Sequence, residues 1–170
     1  MSLNQSNCFQ SLVLRPHWIQ FFINELFILI LTIGCFYLVY FGEATIGRSD
    51  YFSILLIPGV LLLFYLVCRA IYMFRMVYVI TPEQLILLRG ILSHSTDYVE
   101  LYRIVDYQQH RTFLQQIFGL KDVIIYTGDR NNRKVIMTGV RESIDVVSEL
   151  RIRVEFNKKR RGIYEFTNQS

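Results

Sequence analysis

Leu26-Phe-Ile-Leu-Ile-Leu-Thr-Ile-Gly-Cys-Phe-Tyr-Leu-Val-Tyr-Phe41 contains no charged residue, and neither does Tyr51-Phe-Ser-Ile-Leu-Leu-Ile-Pro-Gly-Val-Leu-Leu-Leu-Phe-Tyr-Leu-Val-Cys68. Extended back to Ile19, the first run makes a helix of about 35 Å; extended to Ala70, the second makes one of about 30 Å. Both match the ~30 Å hydrocarbon core of a bilayer. Buried helices of soluble proteins seldom stay uncharged for so long. Trp18, Tyr40, Phe41, Tyr51, Phe52, Tyr72 and Phe74 fall where headgroup layers would lie, as amphipathic rings prefer. The connection Gly42–Asp50 is too short for a domain, so the two runs predict a transmembrane helical hairpin.

The rest of the composition agrees. The chain has 170 residues, 52% hydrophobic and 19% charged, with mean hydropathy +0.31. That excludes a disordered chain and disfavours an ordinary cytosolic globule. The net charge of +4 is a mild basic excess, well short of a nucleic-acid-binding tail. Arg15 precedes the first run and Arg69 and Arg75 follow the second, against Arg48 alone in the loop beside Glu43 and Asp50. This bias predicts a multi-pass membrane protein with both termini cytoplasmic. The apolar start is too long for a cleaved signal, and no small-residue cleavage site follows it. Cys35 and Cys68 differ in depth by roughly 16 Å, beyond the ~7 Å limit of a bridge. Cys8 precedes the first run, and no thiol falls in the later part.

Two features inside the hairpin call for comment. Asn24 and Glu25 lie one to two turns inside the first span. A carboxylate in a membrane is a functional candidate by default. The plainer reading places Glu25 near the cytoplasmic interface, within reach of Tyr65 or Arg69 on the antiparallel neighbour. Pro58-Gly59 should kink the second span.

Residues 75–157 change character. Short β-branched, aromatic and leucine runs alternate with turn signals and predict strands near 76–80, 84–89, 96–101, 104–110, 121–127 and 133–138. Gly128-Asp129-Arg130-Asn131-Asn132 is a strong hairpin turn. Thr112-Phe-Leu-Gln-Gln-Ile-Phe118 reads as one helical turn ended by Gly119. From about 142 to 157 the period becomes 3.6: Ile144, Val147, Leu150 and Val154 mark one helix face, with Ser143 as N-cap. The organisation expected is therefore a segment over 1–18, a hairpin over 19–74 (spans about 19–41 and 51–70), a β-rich domain over 75–157 and a basic, polar tail over 158–170.

Three stretches carry a family likeness: Tyr78-Val-Ile-Thr81-Pro-Glu-Gln-Leu85 with Arg89-Gly-Ile-Leu92; Val99-Glu-Leu-Tyr-Arg-Ile104; and Phe113-Leu-Gln-Gln-Ile-Phe-Gly119-Leu120. In this order and spacing, behind a hydrophobic helical pair, they resemble the bacterial pleckstrin-homology-like, membrane-flanked domain family. The likeness covers roughly residues 20–155. It implies an α+β membrane protein: a transmembrane hairpin followed by a small PH-like antiparallel β split barrel on the cytoplasmic face, capped by a C-terminal helix. It implies no catalytic residues. One departure is Gln116, at a position often basic in the family.

Catalytic signatures are missing. The sequence has no P-loop, GxGxxG, HExxH or GxSxG. His17, His94 and His110 lack ligand spacing, so no metal and no cofactor is expected. Arg103 to His110 fits an Arg–His ribonuclease spacing, but in a strand-like run where that chemistry needs a helix. Asp97, Glu100 and Asp106 read as the polar outer face of a sheet.

Basic groups remain as candidates. Residues 69–170 hold 16 basic and 11 acidic side chains. Arg130, Arg133 and Lys134, together with Lys158, Lys159, Arg160 and Arg161, are the expected contacts to anionic lipid or to an acidic partner. Nucleic acid is not expected, because no basic stripe alternates with stacking aromatics. The leading expectation is a non-enzymatic inner-membrane protein that presents its domain for protein or lipid binding and self-assembles as a homo-oligomer. The alternative is a pore or transport accessory formed by oligomerised hairpins, with Asn24 and Glu25 inside.

Overall fold

The computed structural model describes residues 9–46, 49–91, 95–129 and 132–162. Cys8, Arg48, His94 and Arg130 lie outside them. Helices α1 (Ile19–Ile46) and α2 (Ser49–Phe74) form the hairpin. Each is longer than expected: α1 continues through most of the anticipated loop, and α2 runs on past residue 70 to Phe74. Within them, Ile19–Phe41 and Ile54–Phe74 are long and apolar enough to cross a membrane, and in the most apolar part of each only 11% of residues are buried. α2 passes unbroken through Pro58, and Gly59 lies against Cys35 and Phe36 of α1. Cys35 and Cys68 are free thiols.

Seven strands, not six, are found among the described residues. The addition is β1 (Leu12–Leu14), which precedes the hairpin; β2 (Val77–Ile80), β3 (Gln84–Arg89) and β4 (Ser95–Glu100) follow it, and the four form one antiparallel sheet in the order β1-β2-β3-β4. Leu12 pairs with Ile80 and Leu14 with Tyr78. The hairpin is thus inserted between two neighbouring strands of one sheet. A 3-10 turn, Leu101–Arg103, leads to the second sheet, β5 (Ile104–His110), β6 (Leu120–Thr127) and β7 (Lys134–Arg141). Helix α3 (Phe113–Ile117) joins β5 to β6. No pairing joins the two sheets among the described residues, so the expected split barrel is two separate sheets without closure.

Alternation sets the core. Val99 and Leu101 are buried while Tyr98 is exposed, and Val123 and Ile125 are buried while Ile124 and Tyr126 are only half so. These join Tyr78, Leu85, Leu87, Met137 and others in one cluster of buried side chains, each contributing about 1.5–3 kcal/mol of burial. Helix α4 (Val146–Arg160) covers the open side through Val146, Leu150 and Val154. It starts later than expected because Asp145, not Ser143, is the N-cap: its carboxylate accepts from Ser148 N at 3.2 Å and Ser148 Oγ at 2.7 Å, which holds its pKa below the ordinary value. The α4 face also buries two polar residues. Arg153 donates to Ile80 O and Gln10 O, and Asn157 donates to Pro82 O, tying the helix to the ends of β1 and β2.

The strands give the domain two ends. Leu14, Val77, Arg89, Ser95, His110, Leu120 and Arg141 lie at the hairpin end. Leu12, Ile80, Gln84, Glu100, Ile104, Thr127 and Lys134 lie at the far end. The eight residues of β6 separate the ends by about 23 Å.

Candidate functional site

The candidate site is the joint between hairpin and sheets. α1 enters it because His17 N donates to Gly139 O at 2.9 Å and because Gly139 has φ +67°, a conformation that glycine adopts freely. A Cβ at Gly139 would lie 2.8 Å from Cβ and Cγ of Gln20. Glycine is therefore required there twice over, by conformation and by space.

Gln20, 2% exposed, begins a polar chain. Its Nε2 donates to Asn24 Oδ1 at 2.8 Å, and its Oε1 accepts from Gln115 Nε2 at 3.1 Å. Gln115 Nε2 also donates to Asp122 Oδ1 at 2.8 Å, and that oxygen accepts from Gly139 N at 2.9 Å. Gln115 is oriented by a capping box in α3: Thr112 N donates to its Oε1 at 2.8 Å, and Thr112 Oγ1 accepts from Gln115 N. Residues from α1, α3, β6 and β7 thus share one hydrogen-bonded network. Each member satisfies another, as groups withdrawn from water must be.

Beside it lies a cavity of about 170 Å³ lined by Phe21, Asn24, Glu25, Arg69, Met76 and Thr138, among others. Glu25 is buried, and Arg69 Nε donates to its Oε1 at 2.7 Å. Of the two neighbours expected for Glu25, Arg69 on the antiparallel helix is the one that pairs with it. Asn24 is bonded to Gln20 and lines the cavity. Tyr78 lies behind two of the lining residues, Met76 and Thr138. Its hydroxyl accepts from Thr138 N at 3.1 Å, and burial raises its pKa. The cavity is smaller than a usual small-molecule pocket of ~300 Å³ or more. It has room for a few waters beside Asn24, Glu25 and Arg69.

The basic candidates stand elsewhere. Arg133 precedes β7 and Lys134 begins it, and both are exposed at the far end. Arg160 pairs with Glu83 at 2.8 Å, and the Arg161 guanidinium stacks 4.0 Å from the Tyr102 ring centroid. Arg103, beside Tyr102, pairs with Asp129 at 3.4 Å in the turn before β7. Contacts through Tyr102 and Arg103 therefore connect the end of α4 to the β6–β7 turn. Lys159 is exposed and Lys158 half-buried. These six described members of the set lie at the end away from the hairpin. Basic residues at the hairpin end include Arg15, Arg75, Arg89, Arg111 and Arg141, none of them among the contacts expected from sequence.

Other sequence candidates do not converge. Arg103 precedes the edge strand β5 and His110 ends it, so the length of the strand separates them. Asp97 faces Arg89 at 3.9 Å, Glu100 faces Arg103 at 3.8 Å, and Asp106 accepts from Tyr107 N. Among the described residues, no three His, Cys, Asp or Glu side chains come together to hold a metal.

Two antiparallel sheets of four and three strands, closed by a C-terminal helix and carried on a pair of apolar helices, define a pleckstrin-like domain on a helical hairpin. The chain belongs to the bacterial PH domain family, whose family model matches residues 25–154. The match takes in the hairpin from Glu25 onward and leaves β1 outside. No curated protein and no solved structure matches the chain.

Proposed function

We propose that the chain is a membrane-anchored binding protein that acts without catalysis. The hairpin crosses the bacterial inner membrane twice. The domain lies on the cytoplasmic side and holds its basic far end out for an acidic protein partner. The observation that carries this reading is the insertion of the hairpin into a sheet. Because β1 and β2 pair, the residues before α1 and those after α2 share one side of any bilayer the hairpin crosses. The exposed flanks of α1 and α2 need an apolar solvent: Phe27, Tyr40, Ile57 and Phe64 are each more than 60% exposed, a surface that water would penalise.

Placement narrows the binding role. The far-end cations stand about 23 Å from the hairpin end, more than twice the ~8–10 Å Debye length at cellular salt. Of the two partners expected from sequence, lipid or protein, the protein fits. Among the described residues β4 and β5 are edge strands, and these edges offer strand pairing to a second copy. The pore reading is less well supported, because Glu25 spends its charge on Arg69 rather than facing a lumen.

The test uses the full chain with Arg133, Lys134, Lys159, Arg160 and Arg161 replaced by Gln. The variant should stay in the carbonate-resistant membrane fraction, with its terminal label reached only from the cytoplasmic side. It should lose salt-sensitive binding of an acidic polypeptide such as polyglutamate. Release by carbonate removes the anchor reading. Unchanged binding removes the far end as the contact.

A further inference from the structure

Helix α3 is apolar on the outside. Phe113 is 75% exposed, Ile117 60% and Phe118 50%, three apolar side chains within six residues, whereas other exposed apolar residues of the domain, among them Tyr98, Val105 and Ile152, are spread over separate elements. The α3 surface continues onto α1. Leu114 and Phe118 face Trp18, Ile19, Phe22 and Leu26 across a wholly apolar cleft of about 440 Å³. Leu26 lies seven residues beyond Ile19, so α3 runs beside the first ~10 Å of the span.

Three further observations bear on what covers this face. First, α3 is pinned at that depth, since Gln115 is bonded to Gln20 of α1 on one side and Asp122 of β6 on the other. Second, its backbone is mostly self-satisfied. Thr112 N and Gln115 N are taken by the capping box, Gln116 N by Thr112 O, Phe118 N by Leu114 O and Gly119 N by Gln116 O. Only backbone satisfied in this way enters an apolar medium cheaply. Third, the flanks suit a headgroup layer. Arg111 precedes the helix, exposed Arg15 and Arg141 lie at the same end, and Trp18 sits at the edge of the span.

We infer that α3 is a wedge inserted into the interfacial layer of the bilayer that holds the hairpin. Phe113, Ile117 and Phe118 sit among the upper acyl carbons. The occupant of the apolar cleft is lipid, because the cleft is continuous with the lipid-facing surface of α1. The domain is therefore seated in the membrane surface rather than hung from it, and an interfacial helix of this kind buries about 5–10 Å into the headgroup–acyl boundary. The inference rests on the hairpin being in the bilayer, and its test separates the two.

The experiment uses full-length protein in liposomes containing lipid brominated near the top of its acyl chains. Trp18, the sole tryptophan, is changed to Phe, and one reporter is introduced at a time: Ile117→Trp for the wedge, Phe27→Trp for the hairpin and Tyr98→Trp for the outer face of β4. Emission at 117 and at 27 should fall by about twofold or more in brominated lipid, as expected for rings within the acyl region, while emission at 98 stays unchanged. Quenching at 27 without quenching at 117 overturns the wedge and leaves the hairpin in place. Loss of quenching at both overturns the membrane reading itself. If reporter 117 is unquenched and its emission shifts with protein-to-lipid ratio, a second copy covers the face, and the wedge again fails.

Discussion

Gln115 Nε2 lies 3.1 Å from Gln20 Oε1, a hydrogen bond across 95 residues of sequence that locks a helical turn of the domain to the base of α1. Gln115 is 1% exposed and serves Asp122 and Thr112 as well. It gives a physical meaning to the Leu-Gln pair in the third family stretch: the leucine faces the α1 cleft and the glutamine seats the domain. Gln116, at the position that departs from the family pattern, is exposed and takes no part in the network.

Gln115→Leu should therefore cost more than its small change in volume suggests. It leaves Gln20 Oε1 and Thr112 N without their partners and removes one donor from Asp122, and a buried group left unsatisfied costs ~1–3 kcal/mol. The expected loss is about 2–4 kcal/mol, read from thermal unfolding in detergent and accompanied by new protease cleavage before Ile19. Gln116→Leu, on the exposed side of α3, should leave both readouts unchanged. Equal melting of the two variants would mean that the network adds nothing to the joint.

The ion pair of Glu25 with Arg69 calls for a paired test. Removing one partner of a fully buried pair costs ~3–5 kcal/mol. Arg69 keeps 43% of its side chain exposed, so a reduced loss of about 1–3 kcal/mol is expected for Glu25→Leu. Arg69→Met in the same chain should recover most of it, because the stranded cation is gone. A double variant no more stable than Glu25→Leu would show that the carboxylate has a role beyond its partner.

Much of the domain is legible from its sequence, and what is not has a common cause. The bounds of β3 and β5 follow directly from their turns, Thr81-Pro82 and Tyr102-Arg103. β1 is not legible because Leu12-Val-Leu14 is three residues long and its partner lies beyond two membrane-length helices. The start of α4 moves because both Ser143 and Asp145 are competent caps, and only the path of the chain decides between them. Gln20, Gln115 and Asp122 have no shared local pattern. The available signals were a pair of polar residues, Gln20 and Asn24, one helical turn apart at the head of an apolar span, and two adjacent glutamines, Gln115 and Gln116, inside an otherwise apolar turn. Arg153 and Asn157 interrupt an apolar helix face in the same way. In each case a polar residue at a core position is explained by a partner distant in sequence.

Acid should loosen the joint through His17. Its Nδ1 accepts from Ile19 N at 3.4 Å, and its pKa is lowered from the ordinary value of 6.5, first by desolvation and then by Arg141. A base whose folded pKa is depressed favours the fold when neutral. That contribution is present above the unfolded value of 6.5 and is lost as pH falls below it toward the folded value. Melting temperature should thus decline between pH 7 and the folded pKa of His17, and His17→Asn, which cannot titrate, should flatten that part of the curve. An unaltered slope in His17→Asn would assign the acid sensitivity to other groups.

Gly139→Ala and Gly162→Ala separate conformational strain from close approach, because both glycines have φ +67°. An L-residue in that region costs ~1–2 kcal/mol wherever it occurs. At Gly162 an added Cβ meets nothing within 4 Å, whereas at Gly139 it lies 2.8 Å from Gln20 Cβ and Cγ. Gln20 cannot retreat without breaking its bonds to Asn24 and Gln115. Gly139→Ala should therefore lose a further ~1–3 kcal/mol of overpacking, seen as a lower melting temperature in detergent and as quicker exchange of the His17 amide, whose acceptor is Gly139 O. Gly162→Ala should show only the first cost and no change at His17. If the two variants melt together with the His17 amide still protected, α1 would not be held against β7 at this point.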